Sequence, residues 1–128
     1  MYNPCMKSAR LFTTVGSIVL FLSALLHGSG YPRIAQRVQS AGIQPPLEGL
    51  LKALWLTFSV QFIAIAIITF VARDFERGSR IILLCAACLA IEVAITFHFL
   101  GPFIGGYLIS VVALLFLIGG WLQFKQQA

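Results

Sequence analysis

The stretch that decides the fold is residues 81–122, IILLCAACLAIEVAITFHFLGPFIGGYLISVVALLFLIGGWL. It contains two long apolar runs on either side of Gly101 and Pro102, and Glu92 is its only charged residue. A helix needs about 20 apolar residues to cross the hydrocarbon core of a bilayer. Glycine commonly follows the end of a helix, and proline commonly begins one. The stretch therefore predicts two membrane-crossing helices that pack side by side as an antiparallel hairpin.

Two more apolar runs precede this stretch, so the chain has four predicted spans. We place them at residues 11–28, 53–72, 81–100 and 103–122. The 128 residues are 59% hydrophobic and 10% charged, whereas soluble domains carry about 25% charged residues. Each span should be helical, because a backbone amide without a hydrogen-bond partner is costly in hydrocarbon. The sequence thus predicts an all-α integral membrane protein, a four-span antiparallel transmembrane helix bundle that forms one domain over residues 1–128.

A short amphipathic surface helix is predicted between the first two spans, over residues 32–41. Pro32 suits the first position of a helix, and Gly42 suits the position just past its end. Its apolar and basic residues fall on opposite faces, Ile34, Val38 and Ala41 on one and Arg33 and Arg37 on the other. We expect this helix to lie along the membrane surface as a connector or, alternatively, to fold over the bundle as a lid.

The basic residues favour one orientation in the membrane. With four spans, both termini and the connection between the second and third spans share one side. That side carries Lys7, Arg10, Arg73, Arg77, Arg80 and Lys125, and the opposite side carries Arg33, Arg37 and Lys52. Because cytoplasmic segments carry an excess of basic residues, we expect a multi-pass protein of a bacterial inner membrane with both termini in the cytoplasm.

The first span has a second interpretation. Lys7 and Arg10 precede its apolar run, and the small residues Gly28 and Gly30 follow it. This order also occurs in secretory signal peptides. We favour a retained span over a cleaved leader.

The connection over residues 73–80, RDFERGSR, mixes both signs of charge and predicts a solvated turn whose arginines can meet lipid phosphates. The formal net charge of +5 thus belongs to helix ends. The sequence has no basic stripe of the kind that binds nucleic acids. We expect the lipid bilayer as the partner of this protein, with a homo-oligomer or a larger membrane complex as a further association, and no nucleic acid.

Glu92 is the foremost candidate for a functional residue. It stands 12 positions into the third span, which puts it about 18 Å deep at 1.5 Å per residue. An ionised carboxyl at that depth costs at least about 2.5–3.5 kcal/mol. We therefore expect a neutral acid, a paired one, or one that faces a water-filled cavity. Two hypotheses remain open, a group that carries protons or binds cations, and a protonated acid that only hydrogen-bonds across helices.

Other polar residues can meet Glu92 in the bundle interior. Cys85, Cys88 and Thr96 share its helix face, since all four lie within about 80° at 100° per residue. Similar polar faces are predicted on the second and first spans, formed by Thr57 and Gln61 and by Gly16, Ser23 and His27. Gln61 should reach a depth similar to that of Glu92. Polar groups within a bundle seek each other instead of lipid. The candidate ligand or proton site therefore comprises Glu92, Gln61, Thr57, Ser23, His27 and His98.

The two histidines fall at the outer ends of their spans. Tyr31, Trp55 and Tyr107 lie at the same level, which is typical of an interfacial aromatic belt. A haem or metal site on both histidines and Glu92 is an alternative. His98 is six residues from Glu92, however, about 9 Å along the helix and 120° around it. We therefore expect no cofactor and no metal.

The run Cys85-Ala86-Ala87-Cys88 matches the spacing of thiol oxidoreductases, which also need a second reactive pair. The remaining cysteine, Cys5, supplies no such pair, so we interpret the three cysteines as reduced, with Cys85 and Cys88 as buried packing residues. On the fourth span, Gly106, Ser110, Ala113 and Gly120 form a stripe of small residues. We expect this stripe to pack against the third span or against a second copy of the chain.

These features favour a small non-enzymatic membrane protein, either an accessory subunit or a ligand-binding bundle. A proton-coupled transporter or channel-like oligomer that uses Glu92 is the alternative hypothesis. A thiol or haem redox protein is a remote third. The sequence carries no catalytic triad and no glycine-rich phosphate loop, so an enzyme has little support.

Overall fold

The structure, a computed structural model, describes residues 4–127, with side chains from residue 6 onward. These residues form five helices and no strand, which confirms the predicted all-α class. The helices are α1 (Pro4–Ser29), α2 (Tyr31–Ser40), α3 (Pro45–Ala72), α4 (Gly78–Leu100) and α5 (Ile104–Gln127). By length and composition, α1, α3, α4 and α5 are each able to cross a membrane.

The third helix begins two turns earlier than its apolar run. Two prolines, at 45 and 46, occupy its first turn, and the carbonyl of Gln44 accepts the amide hydrogens of Leu47 and Glu48. Lys52 pairs with Glu48 one turn later. Hydropathy detected only the apolar part of this helix, because its first turns carry an ion pair that does not interrupt the helix.

The predicted surface helix is present as α2. Proline occupies its first turn, and Gly42 follows its end with φ of +65°. None of its residues is buried. Ile34 and Val38 are half-buried, whereas Arg33 and Arg37 are exposed. The helix contacts α3 and, to a smaller extent, α1, so its apolar face is turned toward the bundle.

The turn between α4 and α5 departs from the prediction by two residues. Gly101 has φ of +75°, as a residue past a helix end often does, but its ψ is 175°. Because this ψ is extended, the backbone does not enter a new helix directly after Gly101, and α5 begins at Ile104 instead of Pro102. The two helices also meet at their other ends, where the Ser79 hydroxyl donates to Gln127 Oε1 at 2.6 Å.

Close helix contacts place α5 between α1 and α4. The predicted small-residue stripe packs on α4, where a Cβ at Gly120 would lie 3.0 Å from Leu83. Gly119, outside the stripe, lies against the α1 backbone at Ala9. The ring of Phe116, fully buried, covers Gly16 of α1. The bundle therefore uses glycine on both sides of α5 to bring helices together.

The turn predicted over residues 73–80 is solvated in part and packed against the neighbouring helices in part. The Arg73 guanidinium donates to the Thr14 hydroxyl of α1, and it lies 3.6 Å from the centroid of the Phe70 ring. Gln123 Nε2 of α5 donates to the Arg73 carbonyl at 3.3 Å. Gly78 already belongs to α4 and is buried. These bonds hold the loop against the neighbouring helices at Arg73, whereas residues 74–77 and Arg80 are exposed.

Candidate functional site

The four long helices form a partly open cavity at the end of the bundle where α1 and α4 terminate. Its volume is about 480 Å³. The cavity exists because the helices are unevenly packed. α5 packs closely on α1 and α4, and α1 on α3, whereas α3 and α4 have a much smaller contact. Most of the lining is apolar, and Ser23, His27, Glu92 and Thr96 are its polar or titratable side chains.

Glu92 of α4 forms a side-chain bond to α3, where the contact between these two helices is small. Its Oε1 accepts a hydrogen bond of 2.7 Å from Gln61 Nε2. Gln61 is the residue of the second span that the sequence predicts at a similar depth. Its Oε2 is buried and has no hydrogen-bond partner. A buried polar atom without a partner is uncommon in native proteins and often marks a site completed by something else.

His27 forms the α1 side of the cavity. Its ring stacks on Trp55 with centroids 3.9 Å apart and meets the edge of Phe62 at 6.3 Å. Trp55 Nε1 donates to the His27 carbonyl at 2.8 Å. The ring atom Nε2 is buried without a partner. The sequence allowed two interpretations of His27, a member of an interfacial belt and a member of the candidate site, and the structure puts it in the cavity wall.

Ser23 and Thr96 also line the cavity, but their hydroxyls are already bonded within their own helices. Ser23 donates to the Val19 carbonyl at 2.7 Å, and Thr96 donates to the Glu92 carbonyl at 2.6 Å. Serine and threonine make such bonds readily in helices. Each hydroxyl keeps acceptor capacity toward the cavity.

Thr57 and His98 do not join this group. Thr57 is exposed and donates to the Ala53 carbonyl, and His98 is exposed against the ring of Phe99. Thr57 is four residues before Gln61, which rotates it about 40° around the helix. Gln61 already lies at the edge of the inward face, so this rotation carries Thr57 outside.

The predicted cysteine positions are also corrected in part. Cys85 is half-buried and Cys88 is exposed, and both are free thiols. Neither lines the cavity beside Glu92. Within residues 4–127, no three His, Cys, Asp or Glu side chains come close enough together to hold a metal ion.

Sequence reasoning missed the aromatic part of the lining. Phe58 and Phe62 of α3 and Phe103 before α5 all face this cavity. The spacing of Phe58 and Phe62 at i and i+4 was the available signal, because it defines one face of α3. The polar residues of α3 pointed to the adjacent face instead.

We expect Glu92→Leu to lower the free energy of unfolding by about 1–3 kcal/mol, because the amide of Gln61 loses its buried acceptor. Glu92→Gln should stay close to the wild type, since its amide oxygen can still accept that bond. Unfolding in mixed micelles, followed by circular dichroism, measures both. Adding Gln61→Leu to Glu92→Leu should recover most of the loss, because removing both partners leaves no unsatisfied group. A fully stable Glu92→Leu single variant would contradict the importance of this bond.

Comparison with known proteins supplies no relative. No protein-family model, no curated protein and no solved structure matches this chain. Function therefore has to be inferred from the fold and from the cavity.

Proposed function

We propose that this chain is a small multi-pass membrane protein that binds a lipid-soluble small molecule. Its four long helices cross the bilayer as one antiparallel bundle, with the helix end that carries Arg10, Arg73 and Lys125 in the cytoplasm. The outward faces of the helices support this arrangement, because they are apolar along their length, as at Val60 and Leu84. A bacterial inner membrane fits the distribution of basic residues.

The observation that carries the binding proposal is the cavity among α1, α3, α4 and α5. Small-molecule sites are typically concave, mostly apolar and between about 300 and 1,000 Å³, with a few polar groups that orient the ligand. The cavity of about 480 Å³ falls in this range. Glu92 Oε2 and His27 Nε2 are the buried polar atoms on its lining residues that lack a partner. A ligand with an apolar body and one or two polar atoms would supply what these groups lack.

The two polar groups stand at different depths. His27 is level with Trp55 on α3, and Glu92 is level with Gln61. These α3 residues are six positions apart, or about 9 Å along the axis. A ligand oriented along the bundle axis would therefore span the levels of both residues.

Filling the cavity should abolish ligand binding. We expect decyltrimethylammonium, decanol or the alkane in which carbon replaces the ammonium nitrogen to raise the melting temperature of the wild type. The gain should correspond to about 2.7 kcal/mol at a ligand concentration of 100 times Kd. In Ile109→Trp, the larger side chain occupies the cavity, and the gain should vanish. Thermal unfolding in detergent, followed by circular dichroism, measures the shift at increasing probe concentration.

Val111→Trp is the matched control, because Val111 is two residues away on the same helix and exposed on its outer face. It should respond to the probes as the wild type does. An equal response of the wild type and Ile109→Trp to every probe would show that the probes act on the micelle, and the proposed function would fail.

A proton-coupled carrier or channel-like oligomer is the second candidate. The small α3–α4 contact favours it, because one side-chain bond between Gln61 and Glu92 crosses the gap where the bundle could open. In liposomes, such a carrier would acidify or alkalinise the lumen when a substrate gradient is applied. Glu92→Gln would abolish that proton movement while the protein stays folded.

A further inference from the structure

The charge balance around Glu92 points to the kind of ligand. Among the described side chains, the ion pairs engage Glu48 and Asp74, each with a neighbouring lysine or arginine. None of them includes Glu92, whose carboxyl has one hydrogen-bond partner, the uncharged amide of Gln61. An ionised carboxylate is costly in apolar surroundings unless a positive charge accompanies it. The apolar lining around Glu92 therefore favours a carboxyl that holds a proton or that receives a cation from outside the protein.

The other titratable group on the cavity wall is His27, on α1. From α3 the cavity receives the rings of Phe58 and Phe62, and α5 contributes no titratable side chain to the lining. The His27 ring is held in place by its stacking on Trp55, and an imidazole is positively charged only when both of its ring nitrogens carry a proton. The protein thus presents one acid, and no lysine or arginine, to whatever enters the cavity.

Aromatic rings add a second attraction for positive charge. The centroids of Phe58 and Phe62 are 6.3 Å apart with their planes tilted by 43°, and Phe103 lines the same cavity. The face of an aromatic ring attracts cations, and clustered rings recognise quaternary ammonium groups in particular. Metal cations prefer several oxygen or nitrogen ligands, which this lining does not offer.

We propose that the ligand is an organic ammonium ion on an apolar body, and that Glu92 is its counter-ion in the cavity. This inference rests on the proposed function, since it assigns the ligand class of the same site. When the ammonium binds, the O–H bond of the neutral Glu92 carboxyl breaks, the proton leaves to solvent, and the carboxylate pairs with the cation. Binding thus exchanges one cation for one proton, without any net change of charge in the cavity.

The experiment compares decyltrimethylammonium with the alkane in which carbon replaces the nitrogen, a probe of the same shape without charge. Titration calorimetry in two buffers of different ionisation enthalpy gives both the affinity and the number of protons released. We expect the wild type to prefer the ammonium probe by about tenfold or more and to release close to one proton. Glu92→Gln should lose that preference and release no proton.

Glu48→Gln is the matched control, because it makes the same chemical change in an ion pair at the start of α3, away from the cavity. It should bind and release protons as the wild type does. His27→Gln tests the source of the proton and should still release it.

The outcomes separate the two proposals. Equal binding of the charged and uncharged probes, or unaltered ammonium binding by Glu92→Gln, would overturn the ammonium inference while the ligand-binding function stands. Loss of proton release in His27→Gln with retention in Glu92→Gln would also overturn it. Failure of the wild type to bind either probe or decanol more strongly than Ile109→Trp would overturn the proposed function itself.

Discussion

Phe116→Ala is expected to lower the free energy of unfolding by about 3 kcal/mol, the largest loss from a single truncation in this bundle. Phe116 is fully buried, and its ring lies against Gly16, where α1 and α5 pack together. Gly16 has no side chain that could move into the vacated volume. Because lipid tails are as apolar as the ring, most of the loss comes from lost packing contacts instead of water exposure. Equilibrium unfolding in mixed micelles measures it.

Phe99→Ala provides the comparison for this variant. Phe99 is 77% exposed on α4, on a face that meets lipid in the proposed arrangement. The same truncation there should change stability by less than about 0.5 kcal/mol. Similar losses at the two positions would mean that Phe116 does not occupy the centre of the bundle.

Gly119→Val is expected to cost about 2–3 kcal/mol by forcing α1 and α5 apart. A Cβ at this position would lie 2.5 Å from Thr13 Oγ1 and 3.1 Å from the Ala9 carbonyl oxygen. The carbonyl is part of the α1 backbone, so it cannot move aside as a flexible side chain would. Unfolding in mixed micelles gives the stability, and a cysteine crosslink between the two helices reports their separation.

Gly49→Val separates this steric effect from the general effect of valine in a helix. Gly49 lies in α3, and a Cβ added there would have no atom of another helix within 4 Å. Valine there should be nearly neutral, because it replaces a flexible glycine without meeting a neighbour. If both variants lost the same stability, the cause would be helix propensity and not the close approach of α1.

The features predicted well from the sequence are those that depend on distance along a single helix. Hydropathy identified the four long helices, and distance along each helix placed Glu92 and Gln61 at a similar depth. Pro32 and Gly42 marked α2, since each residue restricts or permits particular backbone angles locally. None of these inferences needed knowledge of how a helix is rotated about its own axis.

Rotation is where prediction from the sequence failed. In a helix that is apolar on all sides, hydrophobic periodicity does not distinguish an inward face from a lipid-facing one. Thr57 was therefore placed inside and Phe58 overlooked, although they are adjacent in sequence. The cavity was missed for a related reason, because it arises from uneven packing among four helices and has no signature in any one of them.

The bond between Gln61 and Glu92 also bears on how the chain is made. Ribosomes deliver the N-terminal part of a protein first, so in the proposed membrane arrangement α3 would reach the bilayer before α4 is complete. The acid would then enter a membrane that already contains its amide partner. With the order reversed, α4 would have to hold a bare carboxyl in hydrocarbon until its neighbour arrived. In this arrangement, the order of the helices along the chain ensures that the amide of Gln61 is already in the membrane when the carboxyl of Glu92 enters it.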